Sequence, residues 1–362
     1  MTMTRTSSRK QQHVNMSLTN DVAFRFKSSG FDRWDFLHNA LPELNLSDID
    51  PSTVFLGKQI ALPFIVSSMT GGYTQAERIN RQLAEICAEK KIALGVGSQR
   101  QASESTRYHR SFSVVRDTAR DIPIFGNIGA AEVSQLRDAS PILRLIDLIQ
   151  ADGFAVHLNP LQELLQPEGN TNFFGVLAGI ELLAKSLPVP LIVKEVGAGI
   201  SAGVAQRLID VGVKIIDIAG AGGTSWAGIE ILRRKNAKGK KDCGDGIRKK
   251  KVKNINAEMF WDWGIPTVHA LTSVCRLKME SPSLKVIASG GISNGIDCAK
   301  SIAFGADFAA SALSILQALA TGGTQSVLKL VDQWEWELKG AMFLTGSRTI
   351  AELQKQTLYS SM

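Results

Sequence analysis

One pattern recurs along the chain: a short, wholly apolar run, then glycine or polar residues, then a stretch with apolar positions at helical spacing. The apolar runs are Phe64–Ser68, Ala93–Gly97, Ile124–Asn127, Phe154–Asn159, Leu191–Glu195, Ile215–Ala219, Val286–Ser289 and Phe308–Ala312. Helical spacing separates most of them, at Gln75–Lys91, Pro141–Ala151, Phe173–Ser186, Ala202–Val211 and Asp297–Phe304. Runs that are apolar throughout, rather than alternating, predict strands covered on both faces and hence a parallel sheet. Eight such strands with helical crossovers predict a closed (β/α)8 TIM barrel, a single domain. The rival, an open doubly wound sheet, would concentrate its signal in one Gly-rich turn after the first strand. Here the informative residues are spread over nearly all the strand ends.

Barrel enzymes keep their chemistry on the face where the strands end. The densest such end is His157-Leu158-Asn159-Pro160-Leu161-Gln162-Glu163, which puts an imidazole, two amides and a carboxylate into seven positions. Polar groups bunched at the end of a buried strand are costly unless something uses them. Elsewhere the ends read Ser68-Met69-Thr70, Gly97-Ser98-Gln99-Arg100, Gly126-Asn127-Ile128-Gly129 and Lys194-Glu195. Backbone amides exposed by glycine can cradle a phosphate, and barrels commonly hold one at their seventh and eighth strand ends. Gly290, Gly291, Ser311 and Ala312 sit there, and Thr224 adds a hydroxyl after the glycine-rich stretch from Gly220. Lys194 can be read three ways: a Schiff-base nucleophile, a ligand to a cofactor's electron-rich ring, or the ion-pair partner of Glu195. With Asn127, Ser98 and Thr70 converging from other ends, a planar, polar-edged cofactor with one phosphate is expected, and FMN fits.

Charge changes this picture little. Lys and Arg exceed Asp and Glu by 41 to 34, and much of the excess lies between Arg233 and Lys253. That basic stretch, near 236–254, is rich in glycine and lacks interleaved aromatics, so it reads as a solvated loop rather than a nucleic-acid surface. The partner expected is a small phosphate-bearing molecule, with no nucleic acid and no membrane. The polar, basic start lacks an apolar signal region, and the four cysteines have no metal-ligand or redox spacing. A cytoplasmic setting is the expectation.

These residues resemble the type 2 isopentenyl-diphosphate isomerases over nearly the whole chain. The specific matches are the Arg9-Lys10-Gln11-Gln12-His13 start and the His157–Glu163 run. Phe36–Glu43, Met69-Thr70-Gly71-Gly72, Lys194–Gly197, Gly222–Trp226 and Trp263–Thr267 agree as well. The resemblance implies an allylic double-bond shift with no net redox change, requiring reduced FMN, Mg2+ and NADPH or another reductant. It assigns FMN to Ser68, Met69, Thr70, Ser98, Asn127, Lys194, Thr224, Gly290, Gly291, Ser311 and Ala312. It assigns the diphosphate to Arg9, Lys10, Arg100 and His157, places Gln162 near the reacting carbons, and makes Glu163 the Mg2+ ligand. Glu230, a further acid near the mouth, either relays protons or caps a helix. Residues 1–50 are expected to form an arm and lid that folds over the mouth on binding substrate, and 51–362 the FMN-binding barrel of a homo-oligomer, tetramer or larger. Gln11-Gln12 stand where acidic residues are frequent in the family. An FMN-dependent 2-hydroxy-acid oxidase or dehydrogenase on the same fold is the enzymatic alternative. It wants a histidine base and arginines near the seventh strand, and Ser281–Gly291 supplies neither.

Overall fold

Each of the eight apolar runs overlaps a strand of one closed parallel barrel in a computed structural model that describes residues 5–239 and 256–361. The strands are β1 (Phe64–Val66), β2 (Ala93–Gly95), β3 (Ile124–Gly129), β4 (Gly153–His157), β5 (Leu191–Lys194), β6 (Ile215–Asp217), β7 (Lys285–Ser289) and β8 (Phe308–Ser311). Closure comes from β8 pairing in parallel with β1, Ala310 opposite Ile65. Alternation decides which side chain goes where. Ile65, Ala93, Phe125, Ala155, Ile192, Ile215 and Ile287, one from each of β1 to β7, point into the barrel and pack as a single cluster with Phe308 and Ala310 of β8. Their neighbours, such as Val66, Leu94, Val156, Val193 and Val286, face outward into the larger core beneath the helices. The bottom is plugged by the hairpin of Thr53–Phe55 and Lys58–Ile60, whose Phe55 ring lies 4.7 Å from that of Phe308.

The expected helices form at Ala76–Lys90, Ser140–Ile149, Val176–Ser186, Ala202–Asp210 and Gly295–Ala303. Ser201 and Asn294 cap the last two, each accepting a backbone N–H three residues on. Outside the barrel, Trp34–Phe36 pairs antiparallel with Leu358–Ser360, tying the two ends of the chain together. The N-terminal segment, expected as an arm and lid, holds a helix, Arg5–Thr19, that lines the barrel mouth. After it, Arg25 and Phe26 donate their backbone N–H groups to Asp262, and Ala23 bridges Thr224. The basic stretch lies, from residue 240 to 255, outside the described residues. Among the described residues, no helix is long and apolar enough to cross a membrane.

Candidate active site

A cavity of about 470 Å3 opens at the C-terminal ends of the strands and is roofed by the N-terminal helix. Every residue that the sequence singles out for a site lines it except Glu230.

One half of this cavity is made of backbone. The loop after β6 (Gly220–Thr224) and the loop after β7 (Gly290–Gly291) touch so closely that side chains have no room. A Cβ on Gly290, whose φ is +97°, would lie 2.0 Å from the Gly220 carbonyl oxygen, and one on Gly223 would lie 2.5 Å from the Gly291 nitrogen. Immediately beyond β8, Ala312 precedes the helix Leu313–Thr345, whose first residues also line the cavity. Free backbone N–H groups at that helix start and in the facing glycine loop suit a phosphate. The hydroxyl of Ser311 is less free than the sequence suggests, because it donates to the Ile292 carbonyl at 3.0 Å.

Next to this cradle, two buried hydroxyls after β1, Ser68 Oγ and Thr70 Oγ1, make no hydrogen bond among the described residues. Buried hydroxyls without partners cost free energy, and a ring with polar edges would satisfy them. Lys194, from β5, is buried in the same wall. Its Nζ donates to the backbone carbonyl of Glu195 at 2.6 Å and lies 3.4 Å from Asp217 Oδ2. The Lys194–Glu195 ion pair considered from sequence does not form. The Glu195 carboxylate instead accepts backbone N–H groups of Val196, Gly197, Ala198 and Gly199 and so organises the loop after β5. Burial pushes its pKa up even so, against those four donors. Asp217, which holds both Lys194 and the Ser289 hydroxyl, was missed because the sequence reading began the sixth strand end at Ala219. The phosphate cradle, the orphaned hydroxyls and the buried cation together fit FMN.

The other half of the cavity is made of side chains. At the end of β4, His157 Nδ1 lies 2.6 Å from Asn127 Oδ1. Burial, then the nearby Lys194, Lys10 and Arg9, push the His157 pKa down to about 3, so the ring is neutral near pH 7 and Nδ1–H donates to Asn127. Asn159 donates to Gln162 Oε1 (3.2 Å) and Glu163 Oε1 (3.1 Å), and Glu163 Oε2 accepts the Asn170 N–H at 2.6 Å. From the roof, the Lys10 ammonium donates to the Ser98 carbonyl and sits 5.2 Å from the Phe112 ring centroid. Burial and the adjacent Arg9 lower its pKa to about 7. Arg100 pairs with Glu132 (2.9 Å) and Glu104 (3.1 Å), while Arg9 makes no ion pair among the described residues. Glu132, a further acid in the lining, has its pKa raised by burial despite Arg100.

Glu230 is buried behind this lining rather than at the mouth. It lies one turn inside the helix Trp226–Gly239, so it is not a cap. It takes the His13 ring at 2.8 Å, Gln162 Nε2 at 3.4 Å and the Arg233 guanidinium. Burial alone would raise its pKa, but His13 and Arg233 outweigh it and hold the carboxylate below its ordinary range.

Among the described residues no three His, Cys, Asp or Glu side chains cluster as a metal cage. Glu163 offers a hard carboxylate oxygen ligand, and the unpartnered Asn159 Oδ1 lies on the residue that donates to it. That set fits Mg2+, which keeps waters and takes phosphate oxygens for its remaining positions. Among the described residues no cysteine competes for the chemistry: burial pushes up the thiol pKa values of Cys87 and Cys298 in the core and raises that of Cys275 to about 12.

Residues 3–110 and 176–360 match the sequence profile of the FMN-dependent dehydrogenase family. Solved structures of the same fold include a mandelate oxidase mutant with a monooxide FMN adduct (TM-score 0.61, 14% identity, 97% of this chain and 92% of that one). Another mandelate oxidase mutant, with 3,3,3-trifluoro-2,2-dihydroxypropanoic acid, gives a TM-score of 0.63 at 16% identity over 98% and 97% of the two chains. Sequence relatives are far nearer. The isopentenyl-diphosphate delta-isomerase of Pelodictyon phaeoclathratiforme is 48% identical over 98% of this chain and 97% of its own. That of Chlorobaculum parvum is 46% identical over the same shares, and that of Pseudescherichia vulneris 43% identical over 96% and 95%. With this agreement end to end, the chain belongs to the FMN-dependent, type 2 isopentenyl-diphosphate delta-isomerase family.

Proposed function

We propose that this chain interconverts isopentenyl and dimethylallyl diphosphate, with reduced FMN as acid and base, Mg2+ on the diphosphate, and NADPH as a reductant of the flavin. One observation carries the reading. A single cavity joins a glycine cradle and orphaned hydroxyls, suited to FMN, to an excess of cations beside one metal-ligating carboxylate, suited to a diphosphate. When bound and reduced, FMN supplies an electron-rich ring able to hold and release a proton.

The chain's own residues do the rest. Gly290, Gly291, Ser311, Ala312 and Thr224 would hold the flavin phosphate, and Ser68, Met69, Thr70, Ser98 and Asn127 its ring edges. Lys194, fixed by Asp217, places positive charge where a reduced ring gathers negative charge. Arg9, Lys10, Arg100 and His157 would bind the diphosphate and Glu163 its Mg2+. Burial and then three nearby cations depress the His157 pKa, and a bound anion would offset the cations and raise it. Gln162, held between Asn159 and Glu230, would orient the prenyl carbons. The roofing helix excludes water from the charge that develops on an alkene carbon during protonation.

The 2-hydroxy-acid oxidase alternative shares its fold with the mandelate oxidases, but the end of β7 offers the cavity only Ser289, Gly290, Gly291, Ile292 and Ser293, with no base. The proposal extends to a cytoplasmic homo-oligomer, tetramer or larger, serving isoprenoid biosynthesis. The exposed Phe174, Trp263 and Trp336 are the surfaces that support association, and sedimentation of the purified protein tests it.

The decisive experiment assays isopentenyl diphosphate isomerisation with FMN, Mg2+ and NADPH omitted in turn. Each omission should abolish or sharply reduce turnover; full activity without flavin would refute the reading. Glu163→Gln should lower kcat/KM by about a hundredfold or more, the several kcal/mol expected of a metal's charge stabilisation. An unaltered Mg2+ titration in that variant would remove Glu163 as the ligand.

A further inference from the structure

Beside Glu163 the structure leaves two buried amide atoms without partners, of opposite hydrogen-bonding character. Asn159 and Gln166 are each 4% exposed, and both line the cavity. The Asn159 Oδ1 acceptor and the Gln166 Nε2 donor are both unsatisfied. They do not satisfy each other, because neither makes a hydrogen bond among the described residues.

Their placement is fixed by local backbone. The Gln166 N–H donates to the Gln162 carbonyl at 2.8 Å, ending the short helix Pro160–Leu165. The Gly169 N–H then donates to the Gln166 carbonyl at 3.0 Å, folding the chain back. A Cβ on Gly169 would lie 1.9 Å from the Glu163 carbonyl oxygen, so only glycine allows this return. The same return brings the Asn170 N–H onto the Glu163 carboxylate. One turn therefore orients Glu163 and holds Gln166 with its amide donor unused.

An orphaned donor and an orphaned acceptor lining one cavity together with the Glu163 carboxylate call for a ligand that presents both complements. A hydrated divalent cation bound to a diphosphate does so: phosphate oxygens accept, and metal-bound water donates. We infer that Gln166 is a further substrate-binding residue, donating from Nε2 to a diphosphate oxygen, while Asn159 Oδ1 accepts from a water on the metal. The inference rests on the proposed diphosphate reading and deepens it. It also explains why a polar amide is kept in a buried position that an apolar side chain would fill at lower cost.

The test uses the FMN-loaded protein with inorganic pyrophosphate and Mg2+ as the probe, comparing wild type with Gln166→Leu and Gln166→Glu. Titration calorimetry should show pyrophosphate binding weakened about ten- to hundredfold in Gln166→Leu, the loss expected for a hydrogen bond to a charged group. The flavin spectrum should be unchanged, and the ligand-free melting temperature should stay level or rise, because an unsatisfied buried donor has been removed. Gln166→Glu, which keeps the size but offers no donor, should bind pyrophosphate more weakly still. Equal affinity in wild type and Gln166→Leu overturns the inference and leaves the isomerase reading standing. A lowered melting temperature with unchanged affinity overturns it too, by showing a structural role. Failure of the wild-type protein itself to bind Mg2+ and pyrophosphate removes the diphosphate reading beneath both.

Discussion

On the cradle side of the cavity, loops after β6 and β7 meet backbone to backbone, and the contacts are set by atoms that glycine does not have. On the anion side, side chains separated by 68 to 217 positions converge: Gln162 on Glu230, Lys10 on Ser98, and His13 on Glu230. The first region binds through groups that cannot titrate, in a geometry fixed by the barrel. The second binds through groups whose charge depends on burial and on one another, carried partly by a helix that the barrel does not include. A cofactor that stays bound suits the first kind of construction, and a substrate that must enter and leave suits the second.

The sharpest way to break this comparison is to add one methyl group to the cradle. At Gly290 the backbone has φ +97° and the new Cβ would lie 2.0 Å from the Gly220 carbonyl oxygen, so Ala must displace one loop. Strained φ and overpacking together should cost more than about 3 kcal/mol. Gly290→Ala is expected to purify with little flavin or to melt well below wild type, as absorbance and calorimetry would show. A fully yellow, equally stable variant would mean that the two loops are not in register as described.

The cradle was also the more legible region. Each of its residues is local to a strand end, and continuous apolar runs marked all eight strands. Where the reading overran, at Phe64–Ser68 for a strand ending at Val66, the extra residues had left the ladder to line the mouth. The anion half was harder to see. The apolar residues of Arg5–Thr19 are Val14, Met16 and Leu18, all near its end, so composition alone reads it as a disordered tail. It is a helix because Met16 packs with Val22 and Ile229, and because His13 reaches Glu230. Only the resemblance brought Arg9 and Lys10 to the site. The Lys194–Glu195 pair, one of three readings of Lys194, fails for a related reason. Adjacent opposite charges suggest a pair, but four backbone N–H groups in one tight loop out-compete a single ammonium for a carboxylate. Gln166 carried no signal of its own, since an amide after a helix usually reads as solvated surface.

Charge on the anion side gives the second test. In the free protein the Lys10 pKa is lowered to about 7 by burial and Arg9, and a bound diphosphate favours its charged form. The affinity for Mg2+-pyrophosphate should therefore be full below about pH 7 and fall as pH rises through that value. Proton uptake on binding at pH 8 would be visible in calorimetry across buffers of different ionisation enthalpy. Lys10→Ala should weaken binding by about 1.5–3 kcal/mol and leave the flavin in place. Lys10→Arg, whose charge does not titrate in this range, should flatten the pH dependence. Loss of flavin from Lys10→Ala would erase the division between the two halves.

The smallest expected effect concerns what keeps the roofing helix down. Glu230 is the one buried carboxylate that touches both His13 on that helix and Gln162 in the lining, and Arg233 and His13 hold its pKa below the ordinary 4.5 although burial opposes them. For a carboxylate lowered on folding, the stabilisation is present above the unfolded value and is lost as pH falls through the folded one. Burial lowers the pKa of His13 as well, so amide exchange of residues 5–19, corrected for intrinsic rates, should show protection falling first as pH drops below about 6.5 and then in an acid step below about pH 4.5 that belongs to Glu230. In Glu230→Gln the side chain keeps its size but loses its charge. Protection should drop by about 1–2 kcal/mol at neutral pH, the difference between charged and neutral hydrogen bonds, and the acid step should vanish. Flavin content should not change, because the cradle shares no hydrogen bond with Glu230. An acid step that persists in Glu230→Gln would assign it to another carboxylate, with Glu168, which pairs with Arg233 at 2.9 Å, the next to replace.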